Sequence, residues 1–257
     1  MNPSPGSSQS TIHTNDVLID LKGVSKHFAG LMAVNNVDFQ TRRGQVVGLI
    51  GPNGAGKTTI FNLISGFLTP NSGDIVFKGE SISGLNPPNV CKLGIARTFQ
   101  IVKPLPRMTV LENVMVGTFS RIKDAREARE QALQILEFTG QIGKKHLKAS
   151  SLSLGDRKRL EISKALATRP DLLLLDECMA GLNNREITGA IELIQKIKER
   201  GITMIIIEHV MKAIMAVSDM IVVLNYGEKI MEGPPKEVAN DRHVIEAYLG
   251  DKYARSL

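Results

Sequence analysis

Apolar residues form short runs along the first hundred positions and again beyond position 170, and helical stripes in between. Val17-Leu18-Ile19-Asp20-Leu21-Lys22 and Ala33 to Gln40 carry apolar side chains at alternate positions, Val37 and Phe39 among them, and predict two strands around a turn. Val46-Val47-Gly48-Leu49-Ile50 and Leu172-Leu173-Leu174-Leu175-Asp176-Glu177 lack that alternation, as strands buried on both faces of a parallel sheet do. Gly73 to Phe77 and Ile95 to Gln100 predict further short strands, and Asn86-Pro87-Pro88 marks a connection. Ile202 to Leu224 is apolar enough to suggest a membrane span, but Glu208, His209, Lys212 and Asp219 interrupt it. Its β-branched run Ile205-Ile206-Ile207 favours a division into strand, helix and strand. Met220 to Asn225 and Glu228 to Glu232 read as a hairpin around Tyr226-Gly227, and Glu237 to Leu249 as terminal helices.

From Ile101 to about Ser150 the pattern turns helical. Ala125, Ala128, Ala132, Ile135 and Leu136 fall on one helical face, and Thr109-Val110-Leu111-Glu112 has the form of a capping box. Arg157 to Thr168 predicts a helix with Leu160, Ile162 and Leu166 inward. Ile187, Ala190, Ile191, Ile194 and Ile197 predict another. The resulting division is an α/β core over 16–100 and about 151–257, with a helical subdomain inserted at about 101–150. Residues 1–15 are Ser/Thr/Pro-rich without an apolar segment, and read as a disordered tail rather than a signal peptide or membrane helix.

A chain of 257 residues can bury a core the size of one large domain or a domain with a subdomain. Cys91 and Cys178 are its two cysteines and lie far apart, so no disulfide framework is expected and a reduced, cytoplasmic setting is the simpler view. Net charge is +6 and the pI about 9.3, which raises nucleic acid or a membrane surface as partners. The longest basic cluster, Arg157-Lys158-Arg159, has no aromatic neighbours to stack on bases, and aromatics are 4% of the chain, so a nucleic-acid groove is disfavoured. The cluster reads as a solvated helix face, or one facing anionic lipid headgroups.

The chemistry concentrates after three of the apolar runs. Gly51-Pro52-Asn53-Gly54-Ala55-Gly56-Lys57-Thr58-Thr59 follows the first and matches G-x-x-x-x-G-K-[ST]. Its glycines let successive N–H groups turn inward around a phosphate, Lys57 supplies charge for the β and γ phosphates, and Thr58 is placed to ligate Mg²⁺. Helical character from Thr59 to Ile64 puts the phosphates on a helix N-terminus. Asp176 and Glu177 end the second run. Burying two acids is costly unless a cation or a reactive proton uses them, so Asp176 is read as a Mg²⁺ ligand, direct or through water, and Glu177 as the group that polarises an attacking water. His209 ends the third run, and Gln100 ends the strand begun at Ile95, where polar side chains face a ligand crevice. Phe28 is a candidate platform for an adenine ring, with an ordinary core phenylalanine as the equal alternative.

These motifs resemble the ATP-binding subunits of ABC transporters, over about Val17 to Gly250. Leu152-Ser153-x-Gly155 is the signature that separates this family from other phosphate-loop ATPases. The resemblance implies an α/β phosphate-loop ATPase core of the RecA-like kind with an antiparallel β subdomain and an inserted helical subdomain. It implies Phe28 as adenine platform, Gly51 to Thr59 as phosphate loop, Gln100 as sensor of Mg²⁺ and transporter, Glu177 as catalytic base and His209 as contact to the γ-phosphate. Ser153 and Gly155 would serve the ATP of a second cassette, in a homodimer or heterodimer that ATP closes and hydrolysis opens. Transmembrane permease subunits would be separate chains, with a periplasmic or extracellular solute-binding protein acting indirectly, and the subunit would lie peripherally on the cytoplasmic face of the inner membrane. Ser65-Gly66-Phe67-Leu68, Arg97-Thr98-Phe99-Gln100, Ala180-Gly181-Leu182-Asn183 and Ala247-Tyr248-Leu249-Gly250 look most like the branched-chain amino acid importers. An exporter subunit of the lipopolysaccharide type and a soluble ABC ATPase are the alternatives. Three departures stand out: Leu154 and Asp156 within the signature, Asn183 for an Asp, and Cys178-Met179 where Pro and a small residue are usual, which frees the backbone after Glu177.

Overall fold

The structure is a computed structural model that describes residues 16–99 and 104–249; the expected tail and Gln100 lie outside the described residues. Among these, strands form two sheets. In the smaller, β1 (Val17–Phe28), β2 (Leu31–Arg42), β4 (Ser72–Phe77) and β5 (Glu80–Ser81) are antiparallel in the order β2-β1-β4-β5. β1 and β2 run longer than the alternation predicts, because register shifts along the ladder break the alternation while pairing continues to Phe28 and Leu31.

The larger sheet has the order β10-β9-β3-β8-β7-β6, from β10 (Glu228–Gly233), β9 (Met220–Asn225), β3 (Val46–Ile50), β8 (Thr203–Ile207), β7 (Leu172–Asp176) and β6 (Ile95–Arg97). All its pairings are parallel except β10 with β9. Every residue of β3, β7 and β8 is buried, as the unbroken apolar runs require. Alternate side chains enter different cores. Val47, Leu49, Leu172, Leu174, Ile205 and Ile207 pack with the antiparallel sheet and with α1 (Lys57–Ile64). Val46, Ile50, Leu173, Leu175, Met204 and Ile206 pack with the helical side.

Asn86 accepts from the Asn89 N–H and caps α2 (Pro87–Leu93), so the Asn-Pro-Pro expected as a plain connection begins a helix with proline at its first position. Both halves of the Thr109–Glu112 capping box form at the start of α3 (Val110–Thr118). Of the stripe predicted on α4 (Ala125–Phe138), Ala128, Ala132, Ile135 and Leu136 are buried and Ala125 is exposed, being the first residue after the Asp124 cap. α5 (Leu154–Ala167) packs on α3 and α4 and starts three residues before the expected Arg157, because Ser153 caps it. α6 (Asn184–Glu199), α7 (Met211–Val217), α8 (Pro235–Asn240) and α9 (Arg242–Leu249) complete the described chain, with Asn183 and Glu186 forming a second capping box. Parallel strands set the carboxyl ends of β3, β7 and β8 at one edge, where their loops meet.

Candidate active site

The loop between β3 and α1 takes its shape from glycine. A Cβ on Gly51 (φ 150°) would lie 2.1 Å from the Leu224 carbonyl oxygen, and one on Gly56 (φ 99°) 2.5 Å from that of Ala33. The loop is anchored by the β9–β10 turn: the Gly227 N–H donates to the Ala55 carbonyl at 3.2 Å, and Asn35 in turn donates to Gly227 at 2.8 Å. Lys57 is buried and its ammonium donates to the carbonyls of Gly51 at 2.7 Å and Pro52 at 2.9 Å. Burial lowers its pKa, while the charges of Glu177 and Asp176 act to raise it. Thr58 is exposed and Thr59 half-buried on the first turn of α1, and Asn53 and Gly54 form the exposed tip of the loop.

Of the two acids ending β7, only Asp176 is deeply buried. Its Oδ2 pairs with Arg97 Nη2 at 2.8 Å, and Arg97 also donates to Asn62 at 2.7 Å and to Ser65 at 3.2 Å. Sequence reasoning missed Arg97 as the counter-ion. An arginine inside the apolar run Ile95-Ala96-Arg97 was the available signal, since a buried guanidinium needs a partner. Glu177 lies beyond the strand end at φ 47° and is partly exposed, which corrects the expectation of two buried acids. The Glu177 N–H donates to the Ile207 carbonyl at 2.9 Å, and its Oε1 lies 3.0 Å from His209 Nε2. Lys57, Asp176, Glu177 and His209 are thus brought together although 152 positions separate the first from the last.

Ser153 caps α5 and Gly155 lies in its first turn. The Ser153 hydroxyl accepts the Asp156 N–H at 3.2 Å and donates to Asp156 Oδ2 at 2.9 Å. Asp156 Oδ1 pairs with Lys144. Gly155 faces Glu186 of α6 so closely that a Cβ would lie 2.5 Å from Glu186 Oε1. Phe28 is 43% exposed, with the Lys26 ammonium 5.5 Å from its ring centre, so it is no core residue. The basic triplet is no solvated face either. Lys158 is buried and donates from Nζ to the Glu177 carbonyl at 2.6 Å, Arg157 donates to Ser150 at 2.8 Å and Arg159 to Thr139 at 3.1 Å. Cys91 and Cys178 are both free thiols, and burial pushes Cys178 well above its ordinary value, which leaves it protonated and unreactive.

A phosphate loop and an acid–histidine pair at the carboxyl edge of such a sheet place the chain among the ATP-binding cassettes. The family model described as "ABC transporter" matches residues 34–180, and one described as "Branched-chain amino acid ATP-binding cassette transporter" matches 228–254. The chain belongs to the ABC transporter family, as an ATP-binding and ATP-hydrolysing subunit that energises transport. It is 39% identical to the high-affinity branched-chain amino acid transport ATP-binding protein LivG of Salmonella typhimurium, covering 91% of this chain and 98% of that one. Similarity to BraF of Pseudomonas aeruginosa, of the same description, is 38% over the same shares. Among solved structures, the ADP conformation of an ATP-binding cassette of an ABC transporter superposes with a TM-score of 0.83 at 32% identity, covering 91% of this chain and 99% of that chain. Among the described residues no helix is long and apolar enough to cross a membrane.

Proposed function

We propose that this subunit drives import of branched-chain amino acids, or similar small solutes, through separate permease chains. The solute class rests on the names of its relatives and on the family model over 228–254. The observation that carries the catalytic reading is the Glu177–His209 pair, 3.0 Å apart, beside a loop whose lysine feels the charges of both Glu177 and Asp176. Gly51 to Thr59 cradles the phosphates, Phe28 offers its exposed ring to the adenine, and His209 holds the γ-phosphate. Glu177 takes a proton from the attacking water. The Thr58 hydroxyl and Asp176 carboxylate are hard oxygen donors that fit Mg²⁺, and the Gln100 amide is the further ligand that the family resemblance implies. Mg²⁺ when bound neutralises charge on the phosphates.

Ser153 caps the N-terminus of α5 and Gly155 lies in its first turn, and among the described residues neither makes a hydrogen bond to the chain's own phosphate loop, so they serve the nucleotide of a partner cassette, either a second copy or a related subunit. The permease docks on a groove of about 310 Å³ between α2, α3 and α5. There Phe67 and Phe99 meet edge to face at 5.7 Å, with Val116 alongside. A solute-binding protein acts beyond the permease, and the subunit lies on the cytoplasmic face of the membrane. The test is Glu177→Gln, which keeps the side-chain shape and removes the base. Its ATP affinity should stay within about twofold while multiple-turnover hydrolysis falls by at least about 100-fold. Normal turnover by this variant would remove Glu177 from its role.

A further inference from the structure

The turn that carries Glu177 is strained and is held by groups from outside it. Glu177 sits at φ 47°, a conformation that a residue with a Cβ keeps only where its surroundings impose it. Cys178 follows it and leaves the φ angle unrestricted, as a proline would not. Two side chains supply the restraint. Lys158, one turn into α5 and buried, donates to the Glu177 carbonyl at 2.6 Å. Glu208, at the end of β8 and 1% exposed, accepts the Met179 N–H on Oε1 at 2.6 Å. Charged groups are seldom buried without such an engagement. The restraints also arrive from the right places: α5 is capped by Ser153, and Glu208 is followed directly by His209, whose ring meets the Glu177 carboxylate.

We propose that Lys158 and Glu208 are positioning residues for hydrolysis, gripping the backbone of 177–179 from two sides so that the Glu177 carboxylate stays against His209. Both act on the backbone of the turn rather than through the nucleotide. Because Lys158 rides on the helix that Ser153 caps, a displacement of that helix is felt at the turn carrying the base. The inference rests on the assignment of Glu177 as base.

Steady-state hydrolysis and nucleotide affinity of the full chain test it. Lys158→Met and Glu208→Leu should each lower kcat by about tenfold or more while ATP affinity stays within about twofold. Lys158→Arg and Glu208→Gln keep a donor and an acceptor at similar reach, and should recover at least about half of the loss. The double variant should lose little more than the worse single one, since both act on one turn. If an apolar variant does not fold, Lys158→Gln and Glu208→Asp, polar but too short, measure the same quantity. Unchanged kcat would overturn the proposal, as would kcat, affinity and thermal stability falling together without rescue. Glu177→Gln run alongside separates the failures. Normal turnover there removes the base and the grip with it, whereas turnover lost there but kept in Lys158→Met removes the grip alone.

Discussion

Lys57 donates to two carbonyls of its own loop, so its removal has two separable effects. Lys57→Ala takes away the charge opposite the most anionic part of ATP, and should weaken nucleotide affinity by about 10–100-fold, the worth of one charge-assisted hydrogen bond. It also strips the Gly51 and Pro52 carbonyls of a donor, costing about 1 kcal/mol of stability without nucleotide. Nucleotide titration and chemical unfolding measure the two, and unchanged affinity would contradict the phosphate-cradle reading. Glu208 gives a pH signature. Burial pushes its carboxyl above the ordinary 4.5, with the Met179 N–H, the Cys178 thiol and Lys158 pulling back. A group whose pKa is raised on folding contributes stability that is fully present below its unfolded value and is lost as pH rises through the folded one. Glu208→Gln does not titrate, so its stability relative to the wild type should grow as pH is raised from about 4 to about 8. Denaturant unfolding across that range checks this, and a flat difference would count against a carboxyl held up by burial.

Element by element, the chemistry follows where the chain is forced to stop. β3, β7 and β8 were legible because strands buried on both faces read as unbroken apolar runs, so Gly51 after Ile50, the acids after Leu175 and Glu208-His209 after Ile207 announce strand ends at one edge of the sheet. The groups that organise those ends were not legible. Arg97 meets Asp176 across 79 positions, and Lys158 hides in a basic triplet whose charge says nothing of which member points inward. The start of α5 was missed because Leu154-Gly155 reads as loop until the Ser153 cap is seen. That cap decides what Asp156 does. Its two oxygens are engaged by Ser153 and Lys144 within its own chain, and it lies in the first turn of α5, where the helix dipole favours an acid. Asp156→Asn should therefore cost about 0.5–1 kcal/mol of stability, since the ion pair is partly solvated and the dipole term is small. With its charge already paired, the ATP concentration that draws two cassettes together in a Glu177→Gln background should not change. Thermal unfolding measures the first effect. Sizing against ATP at two ionic strengths measures the second, and a salt-sensitive gain in association would mean that Asp156 repels the partner's phosphate instead.

Across the whole molecule, the two kinds of surface are distinct: a polar edge at the carboxyl ends of the parallel strands, and an apolar groove beside the helical insert. Phe67 is 53% exposed, Phe99 44% and Val116 45%, with the Arg97 guanidinium 5.2 Å from the Phe99 ring centre. Single exposed apolar residues are ordinary, but a clustered group around a groove marks a surface that another protein covers. Arg97 also pairs with Asp176, so the same residue touches the groove wall and the β7 end. A permease segment seated there would lie one side chain from the acid of the candidate site. Phe67→Ser combined with Val116→Ser should cost only about 1 kcal/mol each, because each side chain is already about half exposed. In cells that also make the permease chains, the doubly substituted subunit should leave the membrane fraction and solute uptake should collapse, while the purified protein still binds ATP. Retention on the membrane with normal uptake would place the docking surface elsewhere on the molecule. Loss of ATP binding along with uptake would show instead that the groove supports the loop rather than a partner.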